Sequence, residues 1–527
     1  MLMPRLTERN SRSCKMVYSF SFLLFVAVLL IAYYFLFKHH QWLVLLVGSL
    51  AFYLYTGLGY SVFLVVTTVM TYFGAIKLEQ LSDFQKSKIK ENKEVWTKEE
   101  KKAFKVGVSK KKRLLLALIV VLAFGMLMVF KAKKFLPFSW LILPLGMSFY
   151  TFQSVGYLVD VYRGDVKAER NFLHYALFVS YFPQIIQGPI NRFDKLHHQF
   201  FERHDLDFAQ IRSGLWLFLW GLFKKLVIAD RLFIFVNDVI ERSEAPAGSI
   251  VVVAVFLFNI ELYADFSGGI DMVSGISEMF GIRLADNFKR PFFATTIGDY
   301  WHRWHISLSN WIRDYVFYPL AFSKTYANFS SKLSKKNAHL GKTIPSGIVS
   351  VITFLLIGLW HELSLAYVAY GLWHGLVMAS AQIFEPVFGW LNRVFSLNKE
   401  SYSMKMFGRA RTWILISIGE MFTFTGSFSG FLRLFSQVIH EFQWYRVVTD
   451  IEMYSLTYKD FIVVGVAVII WYVVSVRQES GMQIREHIAS QPWLFRYVLT
   501  AGVIMVTLIF GVYGSSYNAA DFIYGGF

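Results

Sequence analysis

Long apolar runs separated by short polar turns recur along the whole chain. A membrane-spanning helix needs about 20 predominantly apolar residues, and by this criterion we expect about a dozen spans. The candidate spans are residues 17–37, 42–55, 58–76, 114–130, 135–159, 173–190, 215–235, 250–266, 348–361, 365–384, 413–431, 461–476 and 495–513. Several are short or contain glycine and polar residues, which is typical of broken or re-entrant helices beside a cavity. The pattern predicts an all-α polytopic membrane protein.

The composition supports a lipid environment and narrows the classes of partner. Of 527 residues, 55% are hydrophobic and 18% are aromatic, which is far too apolar for a soluble enzyme of this length. The net charge of +17 comes from basic residues between the spans, so we expect a lipid bilayer and no nucleic acid as partner. Cys14 is the only cysteine, which excludes an internal disulfide bond and a thiolate metal cluster.

The polar intervals set the expected organisation of the chain. Residues 77–113 carry a basic excess, and the positive-inside rule predicts a basic cytoplasmic loop there. Residues 324–342 contain no acidic residue and should face the same side. No linker divides the chain, so we predict one membrane domain over residues 16–527, with additional spans after residue 384. Three predicted spans precede residues 77–113, so the N-terminus should lie outside the cytoplasm, where the basic residues among positions 1–15 are not expected. We therefore predict that residues 1–15 are a dispensable or non-native extension.

The segment from residue 299 to 320 mixes Trp, His, Arg and Asp, so it is not a simple lipid-facing span. Its apolar face at helical spacing comprises Trp301, Trp304, His305, Leu308, Trp311, Ile312 and Tyr315. On a continuous helix His305 would point inward, where a histidine is more often a hydrogen-bonded core residue than a catalytic one. A metal site at His302 and His305 is not expected, because no carboxylate or third histidine lies at a ligand-like spacing nearby.

Two further histidines each follow a tryptophan inside an apolar run, His361 after Trp360 and His374 after Trp373. An ionisable residue at membrane depth is costly to bury and by default marks a function. An imidazole, with an ordinary pKa of about 6.5, is also well suited to take a proton from a hydroxyl at neutral pH. The pattern makes His361 a candidate general base, whereas His374 at the far end of its run is equally consistent with capping or packing.

Several motifs occur in an order found in a known family. They are Leu-Tyr-Ala-Asp-Phe-Ser-Gly-Gly-Ile-Asp-Met at 262–272, Asp-Asn-Phe at 286–288, Arg-Trp-His-Ile-Ser-Leu-Ser at 303–309, Gly-Leu-Trp-His at 358–361 and Gly-Leu-Trp-His-Gly at 371–375. Further matches lie at residues 148–163, 183–190, 221–230 and 522–527. The chain thus resembles the bacterial branch of the membrane-bound O-acyltransferase family, and within it the membrane subunits of alginate O-acetyltransferases. It departs from that pattern before Met16 and at Glu362, where the family usually has glycine.

The resemblance implies a ring of tilted transmembrane helices around a central tunnel, in a multi-pass protein of the bacterial inner membrane. By the same resemblance His361 is catalytic and takes the proton of an acceptor hydroxyl, while His305 orients the donor or polarises its carbonyl. The predicted substrate-binding residues are Trp304, Ser307, Ser309, Asp314, Trp360 and His374. We expect neither a metal nor a bound cofactor, since acetyl-CoA would be a donor substrate.

Three functions stay open at this point. The favoured one is acetyl transfer from cytoplasmic acetyl-CoA toward a hydroxyl of an exported polysaccharide or cell-wall polymer, relayed to an extracytoplasmic partner of the SGNH-hydrolase type. The second is transfer of D-alanine from an acyl carrier protein to teichoic acid, which fits less well with the motif at residues 262–272 and with the spans after residue 384. The third is a proton-coupled transporter, which explains buried ionisable residues but not the order of the motifs.

Overall fold

The computed structural model describes residues 19–135, 144–242 and 245–513. Every regular element in these ranges is a helix, which confirms the all-α prediction. The α-helices are α1 (Phe20–Ile31), α2 (Gln41–Thr56), α3 (Leu58–Glu91), α4 (Lys98–Lys131), α5 (Met147–Arg163), α6 (Phe172–Ser180), α7 (Phe182–Gln187), α8 (Phe193–Leu196), α9 (Phe208–Phe223), α10 (Asp230–Glu241), α11 (Gly248–Met279), α12 (Ile297–Arg303), α13 (Ile306–Ile312), α14 (Tyr318–Ala321), α15 (Lys324–Ser334), α16 (Ala338–His361), α17 (Leu365–Ile383), α18 (Glu385–Val394), α19 (Tyr402–Phe424), α20 (Phe428–His440), α21 (Arg446–Asp450), α22 (Tyr458–Glu479), α23 (Ile484–Ala489) and α24 (Trp493–Phe510). The π-helical segments are Ala32–Leu36, Lys224–Ala229 and Arg313–Phe317, and the 3-10 segments are Lys133–Phe135, His197–Phe200, Pro291–Phe293 and Ile451–Met453.

The described residues divide into two compact units. The first unit contains residues 19–215 and 273–285, and the second contains residues 216–272 and 286–513. The predicted N-terminal extension, residues 1–15, and the C-terminal motif, residues 522–527, lie outside the described ranges. The single membrane domain that the sequence suggests stays a prediction.

Six helices in the described residues are long and apolar enough to cross a membrane, which confirms a multi-pass protein. They are Ser61–Glu91, Lys98–Lys131, Gly248–Met279, Ala338–His361, Tyr458–Glu479 and Trp493–Phe510. Shorter apolar helices cover Phe20–Leu36 and Gln41–Tyr55. The prediction of about a dozen spans is therefore too high for continuous helices in the described part of the chain.

Backbone interruptions explain part of that difference. The predicted span at residues 173–190 breaks at Tyr181 into α6 and α7, and Pro183 follows at the second position of α7. Proline lacks an amide N–H and tolerates only the first turn of a helix, so a helix boundary here is expected. The predicted span at residues 215–235 passes through the π-helical segment Lys224–Ala229. Hydropathy averages over such breaks and cannot report them.

The polar interval at residues 77–113, predicted as a basic cytoplasmic loop between spans, is largely helical, and its cytoplasmic location stays a prediction. Helix α3 continues to Glu91 and α4 begins at Lys98, so only a short turn separates them. Thr97 and Glu100 form a capping box, in which each side chain accepts the backbone N–H of the other residue. Lysine and glutamate have good helix propensity, which lets both helices continue beyond their apolar parts.

Two buried lysines cross-link the motif at residues 221–230 to the motif at residues 262–272. Lys225 Nζ lies 2.8 Å from Asp230 Oδ1 and 2.6 Å from Asp265 Oδ1, and all three side chains are at most 1% exposed. Lys224 Nζ lies 2.8 Å from Asp271 Oδ2. A charged side chain that is buried away from water needs oppositely charged partners. These ion pairs therefore fix the Lys224–Ala229 segment against α11.

Helices α16 and α17 form a closely packed hairpin, and glycines make the close approach possible. A Cβ atom on Gly371 would lie 2.5 Å from the Phe354 carbonyl oxygen, and one on Gly358 would lie 2.2 Å from the Tyr367 carbonyl oxygen. Small residues at membrane helix interfaces let backbones approach in this way. The hairpin carries His361 at the end of α16, so its packing positions that side chain.

We expect the substitution Gly371→Ala to destabilise the protein by about 1–3 kcal/mol, because the new methyl group would overlap backbone atoms that cannot move independently. Gly465→Ala in α22 is the matched control, since no atom lies within 4 Å of the Cβ position there. Thermal denaturation of both variants in detergent checks the difference. Equal melting temperatures would show that the hairpin adjusts at no cost.

Candidate active site

His305 lies at a break between two short helices rather than inside one. Helix α12 ends before it, α13 begins directly after it, and its backbone is left-handed with φ 44° and ψ 53°. The predicted continuous apolar face from Trp301 to Tyr315 is therefore wrong, because the break changes the helix direction. His305 is nevertheless buried, with 2% of its surface exposed, whereas His302 on α12 is exposed.

Asn287 holds the turn that contains His305. Its side-chain oxygen accepts the Ser307 amide at 3.2 Å and the Ser307 hydroxyl at 2.7 Å, and it lies 3.1 Å from His305 Nδ1. Its main-chain oxygen accepts the Ile306 N–H at 2.9 Å. Because a backbone N–H can only donate, the Ser307 contact identifies the side-chain acceptor as oxygen, and His305 Nδ1 must donate to it. Neutral His305 then carries its lone pair on Nε2.

His361 is the last residue of α16, and 8% of its surface is exposed. Glu362 follows it in an extended conformation, with φ −157° and ψ 144°, and ends the helix. The Ser364 hydroxyl then accepts the Tyr367 N–H and starts α17. His361 therefore lies at the turn of the hairpin, and Glu362 is only half-buried beside it.

A row of ring contacts joins the three histidines inside the second unit. The His305 ring centre lies 6.4 Å from that of Trp360, which lies 4.4 Å from that of His361. The His361 ring lies 6.2 Å from Tyr370, and Tyr370 lies 4.6 Å from His374. These separations are ordinary for contacting aromatic rings. The structure thus brings together three motifs that are distant in the sequence.

His374 occupies the far end of this row and is wholly buried. Its ring contacts Trp301 at 5.1 Å, and a Cβ atom on Gly419 would lie 2.4 Å from its Nε2. Within the described residues neither ring nitrogen has a hydrogen-bond partner. A buried polar group is normally paired, so His374 retains hydrogen-bonding capacity that a polar ligand can use.

The predicted substrate-binding residues divide into two groups. Trp360 and His374 belong to the row of rings. Trp304 is buried but stacks on Tyr300, with ring centres 5.7 Å apart, in the aromatic core. The Ser307 hydroxyl donates to the Asn287 side-chain oxygen and so stabilises the turn that contains His305.

The remaining two predicted residues also make local bonds. The Ser309 hydroxyl donates to the Trp304 main-chain oxygen at 3.3 Å. The Asp314 carboxylate accepts from Arg313 Nε at 2.9 Å on the π-helical segment Arg313–Phe317. Contacts of these residues with a substrate stay predictions.

Sequence reasoning missed two residues that shape the site. Asn287 belongs to a quoted motif, but its role in orienting His305 appears only in three dimensions. Glu420 is buried on α19 next to Gly419, and its carboxylate accepts the Thr423 hydroxyl at 2.8 Å. The signal for Glu420 was present, since an acidic residue inside an apolar run is a functional candidate.

Known proteins are similar to this chain over the part that contains these residues. The model of the MBOAT, membrane-bound O-acyltransferase family, matches residues 169–429, which include all three histidines. A probable alginate O-acetylase of Pseudomonas fluorescens is 31% identical over 404 residues, or 75% of this chain and 70% of that protein. A peptidoglycan O-acetyltransferase of Helicobacter pylori is 29% identical over 376 residues, or 64% of this chain and 63% of that protein.

A teichoic acid D-alanyltransferase of Bacillus subtilis is 30% identical over 247 residues, or 46% of this chain and 59% of that protein. Other alginate O-acetylases align over 42% to 48% of their own length, so the chain spans about half the length of those curated relatives. The alignment to the Pseudomonas fluorescens protein covers more than two thirds of that relative at over 30% identity. The chain therefore belongs to the membrane-bound O-acyltransferase family.

Proposed function

We propose that this protein transfers an acetyl group from acetyl-CoA toward a hydroxyl of an exported polysaccharide or cell-wall polymer. The observation that carries the proposal is the row of ring contacts in which Trp360 packs against both His361, at the end of α16, and His305. The names of the Pseudomonas and Helicobacter relatives support acetyl as the group and a surface polymer as the acceptor.

In the proposed reaction His361 acts as the general base. The acceptor oxygen attacks the thioester carbonyl, the hydroxyl proton passes to the imidazole, and the carbon–sulfur bond breaks. The coenzyme A thiolate leaves and takes up that proton, so the enzyme returns to its starting state. His361 is the last residue of α16, its ring packs against Trp360, and the hairpin turn follows it directly.

The tautomer of His305 refines its supporting role. Because Nδ1 donates to Asn287, neutral His305 presents a lone pair on Nε2 and cannot also donate from that nitrogen. Polarising a carbonyl would require the doubly protonated ring, which burial in an apolar site disfavours. We therefore assign His305 to orienting the substrates, by accepting a hydrogen bond, rather than to polarising the thioester.

The partner and the location belong to the same proposal. The relatives come from bacteria, so we place the protein in the bacterial plasma membrane, with the donor on the cytoplasmic side. A polymer assembled outside the cell requires the acyl group to cross the bilayer. An extracytoplasmic partner of the SGNH-hydrolase type would accept it there. Transport of protons as the primary function is not supported by membership of an acyltransferase family.

The donor is the most direct test. Purified protein in lipid should transfer label from radiolabelled acetyl-CoA to a hydroxyl acceptor, and the variant His361→Ala should not. A D-alanyl carrier protein is the competing donor, which the similarity to the Bacillus subtilis protein keeps relevant. Robust transfer from the carrier protein together with no transfer from acetyl-CoA would overturn the donor assignment.

A further inference from the structure

Three potential metal ligands meet in the first unit. The ligand atoms of Glu169, His174 and His197 all lie within 4.8 Å of one another. Glu169 Oε2 and His197 Nε2 are 3.0 Å apart. Glu169 lies shortly before α6, His174 lies in its first turn, and His197 begins the 3-10 helix His197–Phe200. No metal site was expected from the sequence, since only the fold brings these three residues together.

Aromatic contacts hold both imidazole rings by their faces. The His174 ring stacks on Phe201, with centres 3.9 Å apart, and meets Trp42 edge-on at 4.9 Å. The His197 ring stacks on Phe193, with centres 4.1 Å apart. Stacking occupies the faces and leaves the nitrogen-bearing edges for polar contacts. Such packing fixes ring orientation, which is what a ligand supplied by the protein needs.

The carboxylate is also positioned by its neighbours. Glu169 Oε1 accepts the Asn171 N–H at 2.8 Å, so Oε2 is the oxygen that turns toward His197. The Glu169 N–H in turn donates to the Tyr157 hydroxyl at 2.8 Å. Hydrogen bonds to the second oxygen of a ligating carboxylate are typical of metal sites.

The burial of the group suits a metal ion that enters from solvent. The His197 and Glu169 side chains are 16% and 17% exposed, so the group is largely but not fully removed from water. An ion pair between His197 and Glu169 alone would account for two of the three residues. That ion pair does not explain why a ring nitrogen of His174 also lies within 4.8 Å of the ligand atoms of Glu169 and His197.

We propose that Glu169, His174 and His197 bind one zinc ion, with a water molecule in the fourth position. Two imidazole nitrogens and one carboxylate oxygen are a familiar ligand set for zinc. Zinc–ligand bonds of about 2.0–2.1 Å place tetrahedral ligands roughly 3.3 Å apart, so the largest separation, at most 4.8 Å, must shorten by up to about 1.5 Å when the ion binds. The ion would clip the start of α6 to the 3-10 helix His197–Phe200.

Zinc binding can be measured without any acyl transfer, so the test is independent of the proposed function. The full chain, purified in detergent without a polyhistidine tag and treated with a chelator, is titrated with zinc ions against a chromophoric chelator. We expect one equivalent to bind. Glu169→Gln, His174→Gln and His197→Gln should each weaken binding at least about tenfold, as loss of metal-site residues typically does.

The substitution His198→Gln is the matched control. His198 directly follows His197, but its side chain is 57% exposed and its nearest acidic partner, Glu202, lies 3.9 Å away. The His198→Gln variant should bind zinc with the same affinity as the original protein. Glu169→Gln retains the side-chain shape and an oxygen for Asn171, so it tests the ligand even if a histidine variant fails to fold.

A second readout uses the unaltered protein alone. Cobalt ions in place of zinc should give the visible absorption of a four-coordinate site, and zinc should raise the melting temperature, since a ligand that binds only the folded state stabilises it. No saturable binding by the original chain would overturn the proposal. Equal affinity of the original chain and all three ligand variants would overturn it as well.

Discussion

Replacement of His361 by alanine should lower acyl transfer by about 10²–10⁴-fold, because the acceptor hydroxyl loses the group that takes its proton. The variant should still accumulate in the membrane, since His361 is the last residue of α16 and alanine has good helix propensity. The initial rate of label transfer at saturating donor measures the effect. The exposed His302 gives a matched control, and His302→Ala should change the rate by no more than roughly twofold.

The same assay separates His361 from His305. His305→Asn suits the left-handed backbone at this position and should retain measurable activity, because a residue that orients substrates contributes less than the base. The loss should appear mainly in the apparent KM of the substrate that His305 orients. An inactive His305→Asn protein together with an active His361→Ala protein would show that the two roles are assigned the wrong way round.

Replacement of Lys225 by methionine should be the most destabilising single change outside the site, with a loss of about 3–5 kcal/mol in the free energy of unfolding. The substitution leaves Asp230 and Asp265 buried beside each other without the cation between them. Membrane accumulation and the melting temperature in detergent report the loss. The triple variant Lys225→Met, Asp230→Asn, Asp265→Asn should recover most of it, because these three positions then carry no charged side chain.

Lys195→Met is the control for Lys225. Lys195 pairs with Asp194 at 3.3 Å, but its side chain is 79% exposed. Exposed ion pairs typically contribute about 0–1 kcal/mol, so this variant should melt close to the original protein. A Lys225→Met protein as stable as Lys195→Met would mean that the carboxylates are neutralised without the lysine.

The helical membrane architecture could be predicted from the sequence because lipid requires every backbone polar group to be satisfied internally. The prediction that His361 is functional also came from a local pattern, since an ionisable residue in an apolar run is costly to bury. Both predictions need only the residues that lie next to one another in the sequence. Hydropathy could not locate the break at Tyr181, because the residues on both sides of it are equally apolar.

Features that depend on distant contacts were not predictable in the same way. The spacing of apolar residues suggested one helix through His305, but Asn287 accepts three hydrogen bonds from the Ser307 amide, the Ser307 hydroxyl and His305, and these favour a turn there. The group formed by Glu169 and His197 needed the folded chain to bring its members together. The helical conformation of the lysine-rich interval could not be read from its charge, because charge marks a polar surface and does not exclude a helix.

The left-handed backbone at position 305 limits which residues a saturation-mutagenesis library at this position can yield in folded protein. Glycine, asparagine and aspartate adopt these angles readily, while valine and isoleucine do so at considerable cost. A pool selected only for accumulation in the membrane should therefore already be depleted of β-branched residues. Enrichment of histidine over asparagine in a second selection for activity would then measure the imidazole's chemistry separately from the geometry of the chain.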